Sequence, residues 1–213
     1  MSHKILVVDD HEVVRLGVSE LLRGCGFQIA ASCECGEEAI RFVDTLRLDA
    51  VLLDVRMEPD DGLATLAQIR KVNANLPVVI FSSYDNPTYV ARAAALGAND
   101  YVLKRLAPET LGATLERAIA GKKPPAESRL SVVRRLMQQE MDPSSLPPEF
   151  PLTCRETQVL RHIALGLSNK EIATSLMISV ETVKEHVQNT LRKVKATDRT
   201  DAAVRAIKSG LVD

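Results

Sequence analysis

The sequence has no long apolar run and few cysteines. Its apolar stretches, such as Ile5–Val8 and Val78–Phe81, are far shorter than the roughly 18 residues needed to cross a bilayer. Asp9 and Asp10 interrupt the first of these stretches, which disfavours an N-terminal signal segment. Four cysteines in 213 residues do not make a disulfide framework, so reduced thiols are expected. These absences predict a cytoplasmic protein with no membrane partner.

The chain also lacks an excess of either charge, with 27 Lys and Arg against 28 Asp and Glu. Its composition of 46% hydrophobic and 26% charged residues excludes a disordered chain or a strongly basic tail. The charge is nevertheless uneven. Residues 1–122 hold 13 basic and 17 acidic residues, a net charge of −4; residues 123–150 are neutral; residues 151–213 hold 10 and 7, a net charge of +3. This asymmetry suggests two domains with different tasks.

Residues 1–122 alternate short apolar runs with amphipathic stretches of helical periodicity, which is typical of consecutive βα units. Strands that are apolar throughout are buried on both faces, so the pattern predicts a parallel sheet covered by helices. We predict an α/β domain with a doubly wound, five-stranded parallel sheet. The predicted strands are Ile5–Val8, Phe27–Ala31, Val51–Leu53, Pro77–Phe81 and Tyr101–Leu103.

Residues 123–150 contain five prolines and two adjacent serines, a composition typical of a linker. Within this segment, Ser128–Met141 places apolar residues at helical spacing, which predicts a short helix. Such a helix needs a surface to pack on. The sequence leaves open whether it docks on one domain or pairs with a second copy.

From residue 151 onward the sequence predicts four helices. Thr153–Glu156 and Ser168–Glu171 are capping boxes that open the first two. Ser179 and Asp198 cap the third and fourth. The short breaks between these helices fit a helix-turn-helix. We therefore predict an all-α domain over residues 151–213.

Charged and polar side chains follow the predicted strands of the first domain. Asp9 and Asp10 follow the first strand, Asp54 the third and Lys104 the fifth, and Ser82 closes the fourth. A single aspartate there is explained by its preference for turns, but ligands of open parallel sheets bind at this edge. Clustered carboxylates favour a hard cation such as Mg²⁺. Asp54 would then be able to attack a phosphoryl group whose oxygens contact Lys104 and Ser82.

Four segments of this region resemble the signatures of a two-component receiver domain, in order and at the right spacing: Ile5–His11, Val51–Met57, Phe81–Ser83 and Tyr101–Lys104. The resemblance implies a flavodoxin-like fold. It also implies that Asp54 is phosphorylated by a sensor histidine kinase.

The resemblance implies roles for further residues. Those expected to hold Mg²⁺ are Asp9, Asp10, Asp54 and the backbone carbonyl of Arg56. Those expected to pair with the phosphoryl group or to switch with it are Lys104, Ser82 and Tyr101.

Two departures from the receiver pattern bear on this site. The loop Met57–Gly62 has its proline shifted by one position and an extra acid beside the expected metal site. Arg105 follows the lysine where many receivers have proline. Neither change removes a reacting group, but both could alter the loop conformation or the lifetime of the phosphorylated state.

The third helix of the C-terminal domain has an apolar stripe at Val183, Val187, Leu191 and Val194 and a polar opposite face. An ordinary surface helix has the same pattern. The capped helix before it and the local net charge of +3 favour a helix that binds DNA.

Three segments resemble the LuxR-type DNA-binding domain: Leu152–Leu160, Gly166–Ala173 and Ile178–Val187. With the receiver, the whole chain resembles a NarL/FixJ-type response regulator. The resemblance implies that the third helix enters the major groove of double-stranded promoter DNA. The implied base-facing residues are Lys184, Glu185 and Gln188. The candidate phosphate contacts are Thr182, Asn169, Lys170, Arg192 and Lys193.

The last predicted helix carries the small residues Ala202, Ala203 and Ala206 beside Ile207. Small residues allow a close approach to a second copy of the chain, but the same stripe could pack inside its own domain. Both arrangements stay open.

These observations predict a phosphorylation-dependent transcription regulator that is not an enzyme. No glycine-rich phosphate loop follows any predicted strand, which disfavours a kinase or phosphatase. Phosphoryl transfer to Asp54 is expected to switch dimerisation and sequence-specific DNA binding, with a homodimer as the active form. The alternative is a phosphorylation-independent DNA-binding regulator whose receiver serves as a protein-docking or dimerisation module.

Overall fold

A computed structural model describes residues 2–58, 60–105, 108–138 and 150–211. The chain divides into two compact units, Met1–Ser131 and Val132–Asp213. The predicted domain boundaries at residues 122 and 151 stay a prediction. Within the described ranges, no helix is both long and apolar enough to cross a membrane.

The first unit is a parallel sheet of five strands in the order β2-β1-β3-β4-β5, with helices between consecutive strands. This confirms the predicted α/β fold. The strands are β1 Lys4–Val8, β2 Gln28–Cys33, β3 Ala50–Leu53, β4 Val78–Ser82 and β5 Asp100–Leu103. The helices are α1 Glu12–Gly24, α2 Gly36–Thr45, α3 Gly62–Val72, α4 Pro87–Ala95 and α5 Pro108–Ile119.

The central strands are buried along their length because their residues are apolar at every position. All four residues of β3 are at most 1% exposed, as expected for a strand covered on both faces. Ile5, Leu52 and Val79 form a core with Leu22 of α1 and Leu115 of α5. This core holds the sheet that presents the polar strand ends.

The strand order places the ends of β1 and β3 side by side. Val8 pairs with Leu53, and the backbone N–H of Asp54 donates to the carbonyl of Val8 at 2.9 Å. In open α/β sheets, ligands bind where the strand order reverses. Here that reversal lies between β1 and β3, so Asp9 and Asp54 flank it.

Helix α6 extends over Arg129–Gln138, which confirms the short helix predicted within Ser128–Met141. It begins in the first unit and ends in the second. Leu130, near its start, is fully buried, and Met137, near its end, is 3% exposed. Residues 139–141 of the predicted segment lie outside the described residues.

The second unit contains the four helices that the capping signals predict. Both capping boxes are present, at Thr153 with Glu156 and at Ser168 with Glu171. Ser179 and Asp198 each accept a backbone hydrogen bond at the start of their helices. The helices are α7 Cys154–Ala164, α8 Asn169–Leu176, α9 Val180–Lys193 and α10 Arg199–Lys208.

The small residues of α10 pack inside their own unit. Ala202 and Ala206 are fully buried in a core with Leu160 and Val194. Their small size allows α10 to lie close to α7. Because both residues are buried in this core, they are not available to contact a second copy of the chain. Ile207 remains 53% exposed.

Candidate functional site

One ammonium group bridges two buried carboxylates at the carboxyl edge of the sheet. Lys104 Nζ lies 2.5 Å from Asp9 Oδ2 and 2.9 Å from Asp54 Oδ2. Asp9 and Asp54 are 2% and 5% exposed. The structure therefore brings together side chains that follow three different strands, as the sequence predicts.

The electrostatics of this edge follow from burial. Burial raises the pKa of Asp54 above its ordinary value, although hydrogen bonding to Lys104 opposes the shift. Burial alone would lower the pKa of Lys104, but its hydrogen bonds to Asp9 and Asp54 outweigh that effect and raise it. Asp54 therefore depends on the positive charge of Lys104 for its ionised state.

Asp10 lies at the exposed side of the same edge. Its Oδ2 accepts from the backbone N–H of Glu58 at 3.1 Å, and its Oδ1 lies 2.6 Å from Nδ1 of His11. Burial tends to raise the pKa of Asp10, but these partners outweigh it and lower the pKa. Asp10 therefore stays a carboxylate that can act as a ligand.

The donor atoms of this edge suit a hard cation. Ligand atoms of Asp9, Asp10 and His11 lie within 4.8 Å of one another. Asp9, Asp10 and Asp54 supply carboxylate oxygens, which Mg²⁺ prefers over nitrogen ligands such as His11. A cavity of about 680 Å³ lies at this edge and is lined by Asp10, Asp54 and Arg56, among others. The residues present thus fit a magnesium ion.

The loop between β3 and α3 carries a carboxylate that contacts a neighbouring helix. Asp60 Oδ2 accepts from the backbone N–H of Gly36 at 2.8 Å. This contact serves α2, whose own N-cap residue, Cys35, makes no side-chain cap. Asp61 caps α3 through the N–H of Leu63. Of the four loop residues between Met57 and Gly62, residue 59 lies outside the described part of the chain.

The loop between β4 and α4 is held by several groups that surround Tyr84. The N–H of Tyr84 donates to Ser82 Oγ at 3.1 Å, and its carbonyl accepts from Tyr101 Oη at 2.7 Å. The guanidinium of Arg56 lies 5.2 Å from the centroid of its ring. Burial raises the pKa of Tyr101 to about 12, so this hydroxyl stays a donor. No sequence pattern indicates Tyr84, because its role depends on partners from other strands.

The candidate base-facing residues of α9 share an exposed face. Lys184, Glu185 and Gln188 are all exposed, and Val183 on the opposite side is fully buried. Gln188 lies three positions after Glu185 and four after Lys184, the spacings that make side chains neighbours on a helix surface. The structure therefore brings these three predicted residues together, facing away from the core.

The candidate phosphate contacts differ in how free they are. Lys170 is exposed, and Thr182 is tied to the N-cap residue Ser179 at 2.9 Å. Asn169 accepts from Arg199 at 2.9 Å. Arg192, also exposed, donates to Asn189 at 3.1 Å. Within the described residues, the side chain of Lys170 makes no such contact.

Lys193, the remaining candidate, has an internal role that sequence reasoning missed. Its Nζ lies 2.8 Å from Glu156 Oε2. Burial tends to raise the pKa of Glu156, but Lys193 and the N–H of Thr153 outweigh it and lower the pKa. The pair ties α9 to the start of α7.

A buried histidine joins the helices that support α9. His162 of α7 is fully buried. Its Nδ1 lies 2.7 Å from the carbonyl of Gln158 and its Nε2 lies 2.9 Å from Ser175 Oγ in α8. Burial lowers the pKa of His162, so the neutral ring fits this position. The hydrogen bond between His162 and Ser175 thus joins α7 to α8, the two helices that pack against α9.

Both halves of the chain match known families. The family described as response regulator receiver domain matches residues 5–116, and the family of bacterial regulatory proteins called the luxR family matches residues 151–206. The chain belongs to the response regulators that join a receiver domain to a LuxR-type DNA-binding domain. It is therefore a response regulator that acts on DNA, and the prediction that it is not an enzyme is confirmed.

Full-length relatives support this assignment. The chain is 32% identical over 213 residues to the response regulator protein VraR of Staphylococcus saprophyticus, with 100% of both chains covered. It is similar to the solved structure of the response regulator ChrA from a heme-sensing two-component system (26% identity, TM-score 0.52, 99% of both chains). It also shares its fold with RcsB of Salmonella typhimurium (22% identity, TM-score 0.59, 97% of this chain and 100% of that one).

Proposed function

We propose that this chain is a phosphorylation-dependent transcription regulator in which Asp54 accepts a phosphoryl group from a sensor histidine kinase. The observation that carries the proposal is the position of Lys104, whose ammonium contacts both Asp9 and Asp54 at the edge of the sheet. A buried carboxylate beside a cation and an open cavity can act as a nucleophile toward a phosphoryl group.

The chemistry divides among a few side chains. An oxygen of Asp54 forms the new bond to phosphorus while the bond from phosphorus to the histidine nitrogen of the kinase breaks. Lys104 neutralises the phosphoryl oxygens at their final position. Asp9, Asp10, Asp54 and the backbone carbonyl of Arg56 would hold Mg²⁺, which when bound supplies further positive charge for the transferred group.

The switch would pass through two hydroxyl groups. Ser82 and Tyr101 both contact the main chain of Tyr84. A phosphoryl group on Asp54 offers new acceptor oxygens to Ser82, so the contacts of the β4–α4 loop would change with it. This change would favour the homodimer and its binding to DNA.

The output would be sequence-specific binding to double-stranded promoter DNA by α9. Lys184, Glu185 and Gln188 would read base edges in the major groove. The residues proposed to contact phosphates are Thr182, Asn169, Lys170, Arg192 and Lys193. Because Lys193 already pairs with Glu156, a phosphate contact there would compete with that internal pair.

The direct test compares the wild-type protein with Asp54→Ala and Asp54→Asn in the presence of Mg²⁺ and acetyl phosphate. Intact mass reports phosphorylation, and a promoter library reports DNA binding. We expect the mass of one phosphoryl group and tighter DNA binding in the wild type only. Equal mass gain in both variants would overturn the assignment of Asp54.

A second candidate function is favoured by the exposed apolar residues of α1. Val13 and Leu16 are 83% and 65% exposed, which is unusual for neighbours on one helix and typical of a protein contact surface. In that case the receiver would dock or dimerise without phosphorylation. DNA binding that is unchanged in Asp54→Ala but weakened by Leu16→Asp would favour this second function.

A further inference from the structure

The carboxylate of Asp85 holds two guanidinium groups from different parts of the first unit. Its Oδ2 lies 2.6 Å from Nη2 of Arg129 and 3.1 Å from Nη2 of Arg105. The side chain of Asp85 is 30% exposed. The 2.6 Å contact to Arg129 has the short length of a charge-assisted hydrogen bond, so Arg129 is the closer partner of Asp85.

Asp85 directly follows the residue that the switch hydroxyls contact. Ser82 and Tyr101 hold the N–H and the carbonyl of Tyr84. A displacement of the Tyr84 main chain therefore also displaces Asp85. The position of the Asp85 carboxylate thus depends on the main chain of Tyr84, a residue that lines the same cavity as Asp54.

The first turn of α6 is anchored in the first unit. Arg129 supplies the contact to Asp85, and the neighbouring Leu130 is fully buried. Ser131 donates from its N–H to Ser128 Oγ at 3.1 Å and from its hydroxyl to the carbonyl of Pro124 at 3.3 Å.

The last turn of α6 is anchored in the second unit. The carbonyl of Leu136 accepts from Nη1 of Arg161 in α7 at 2.7 Å. Arg161 is only 2% exposed and Met137 is 3% exposed. The boundary between the two units thus falls within α6, after Ser131.

We propose that Asp85 is a positioning residue that transmits the phosphorylation state of Asp54 to α6. Asp85 holds Arg129 while Asp54 is unphosphorylated. When Ser82 turns toward a phosphoryl group, the β4–α4 loop shifts and the 2.6 Å contact to Arg129 is lost. The first turn of α6 is then released. This inference rests on the proposed function and names the element that carries its signal.

The test measures amide hydrogen exchange of residues 130–134 in the full-length protein, with and without Mg²⁺ and acetyl phosphate. Arg129→Gln and Asp85→Asn should speed exchange roughly two- to fivefold before phosphorylation, the range expected for loss of an exposed ion pair. Phosphorylation of the wild type should give the same increase and add nothing in Arg129→Gln. Arg129→Lys should restore part of the protection and part of the response.

Arg105→Gln is the matched control, because it removes the other guanidinium from the same oxygen without touching α6. It should leave exchange of the helix close to that of the wild type. An Arg105→Gln effect as large as that of Arg129→Gln would overturn the proposal, since Asp85 would then only brace its own loop.

Intact mass, measured on the same samples, distinguishes failure of the transmission through Asp85 from failure of the proposed function. A gain of one phosphoryl group with unchanged exchange of residues 130–134 would overturn the transmission through Asp85 and leave the proposed function intact. Failure to gain the phosphoryl group would overturn the proposed function, and the transmission with it. A gain accompanied by faster exchange in the wild type, with no further increase in Arg129→Gln, supports both.

Discussion

The carboxylate of Asp60 accepts a hydrogen bond from the backbone N–H of Gly36 at 2.8 Å, although the two residues lie in different βα units. The contact joins the loop after the phosphoryl-acceptor strand to the N-terminus of α2. A helix N-terminus has unsatisfied N–H groups and a partial positive charge, so a carboxylate there is stabilising. Asp60 therefore has a structural role.

Replacement of Asp60 should test that role. Asp60→Ala removes the acceptor and should lower the free energy of unfolding by about 1 kcal/mol. Asp60→Asn keeps an acceptor oxygen and should cost less. Urea unfolding followed by circular dichroism measures both. If the two variants lose no stability, Asp60 does not cap α2.

Gly62 allows α3 to begin against the main chain of Asp54. A Cβ at residue 62 would lie 1.8 Å from the carbonyl oxygen of Asp54, and backbone cannot move aside as a side chain can. Gly62→Ala should therefore destabilise the protein by about 3 kcal/mol or more.

The control for Gly62 is Gly17 in α1, where a Cβ would meet no atom within 4 Å. Gly17→Ala should stabilise the protein by about 0.5–1 kcal/mol, because alanine favours the helix. Thermal unfolding measures both variants. Similar, small effects of the two substitutions would contradict the close approach at Gly62.

The buried ring of His162 should make the DNA-binding unit sensitive to acid. Its pKa is lowered in the folded state from an ordinary value of 6.5, so the unfolded chain takes up the proton more readily. The contribution of the neutral His162 ring to the free energy of unfolding is complete above about pH 6.5. It declines as the pH falls below that value, by up to about 1.4 kcal/mol per pH unit.

Hydrogen exchange of α7 and α8 at pH 7 and at pH 5 measures this effect of His162. His162→Gln should reduce the difference in exchange protection between pH 7 and pH 5, because the variant has no group to protonate at residue 162. An equal pH dependence in the variant would assign the sensitivity to other residues.

Two substitutions should separate base reading from phosphate contact in α9 and α8. Gln188→Ala should change base preference and leave the salt dependence of binding nearly unchanged. Lys170→Ala should weaken binding to all sequences alike and reduce the salt slope by about 1. Binding isotherms at several salt concentrations measure both. An equal loss on every sequence for Gln188→Ala would refute its base-reading role.

Local sequence patterns predicted most of the helices and strands. They could not predict contacts between residues that lie far apart in the chain. The apolar strand at Ala50–Leu53 and the capping box at Ser168–Glu171 depend on neighbours in the sequence, so their periodicity and residue types indicated them. The pairing of Asp85 with Arg129 joins residues 44 positions apart. An acidic residue in a loop and a basic residue at a helix end do not by themselves indicate that the two will pair. The cap at Gly36 was missed for the same reason.

Among the site residues, the groups at strand ends could be predicted because strand order brings such ends together. That reasoning placed Asp9, Asp54 and Lys104 correctly at one edge. It could not assign Lys193, since its partner Glu156 is identified only by the packing of α9 on α7.

The most direct test of the account follows phosphoryl transfer to Asp54 by intact mass with acetyl phosphate, with Mg²⁺ present or removed by EDTA. We predict one phosphoryl group on the wild-type protein with Mg²⁺, little without it, and none at this position in Asp54→Asn, with tighter promoter binding only in the phosphorylated sample. Unchanged wild-type mass with Mg²⁺, or DNA binding that ignores phosphorylation of Asp54, would contradict the account.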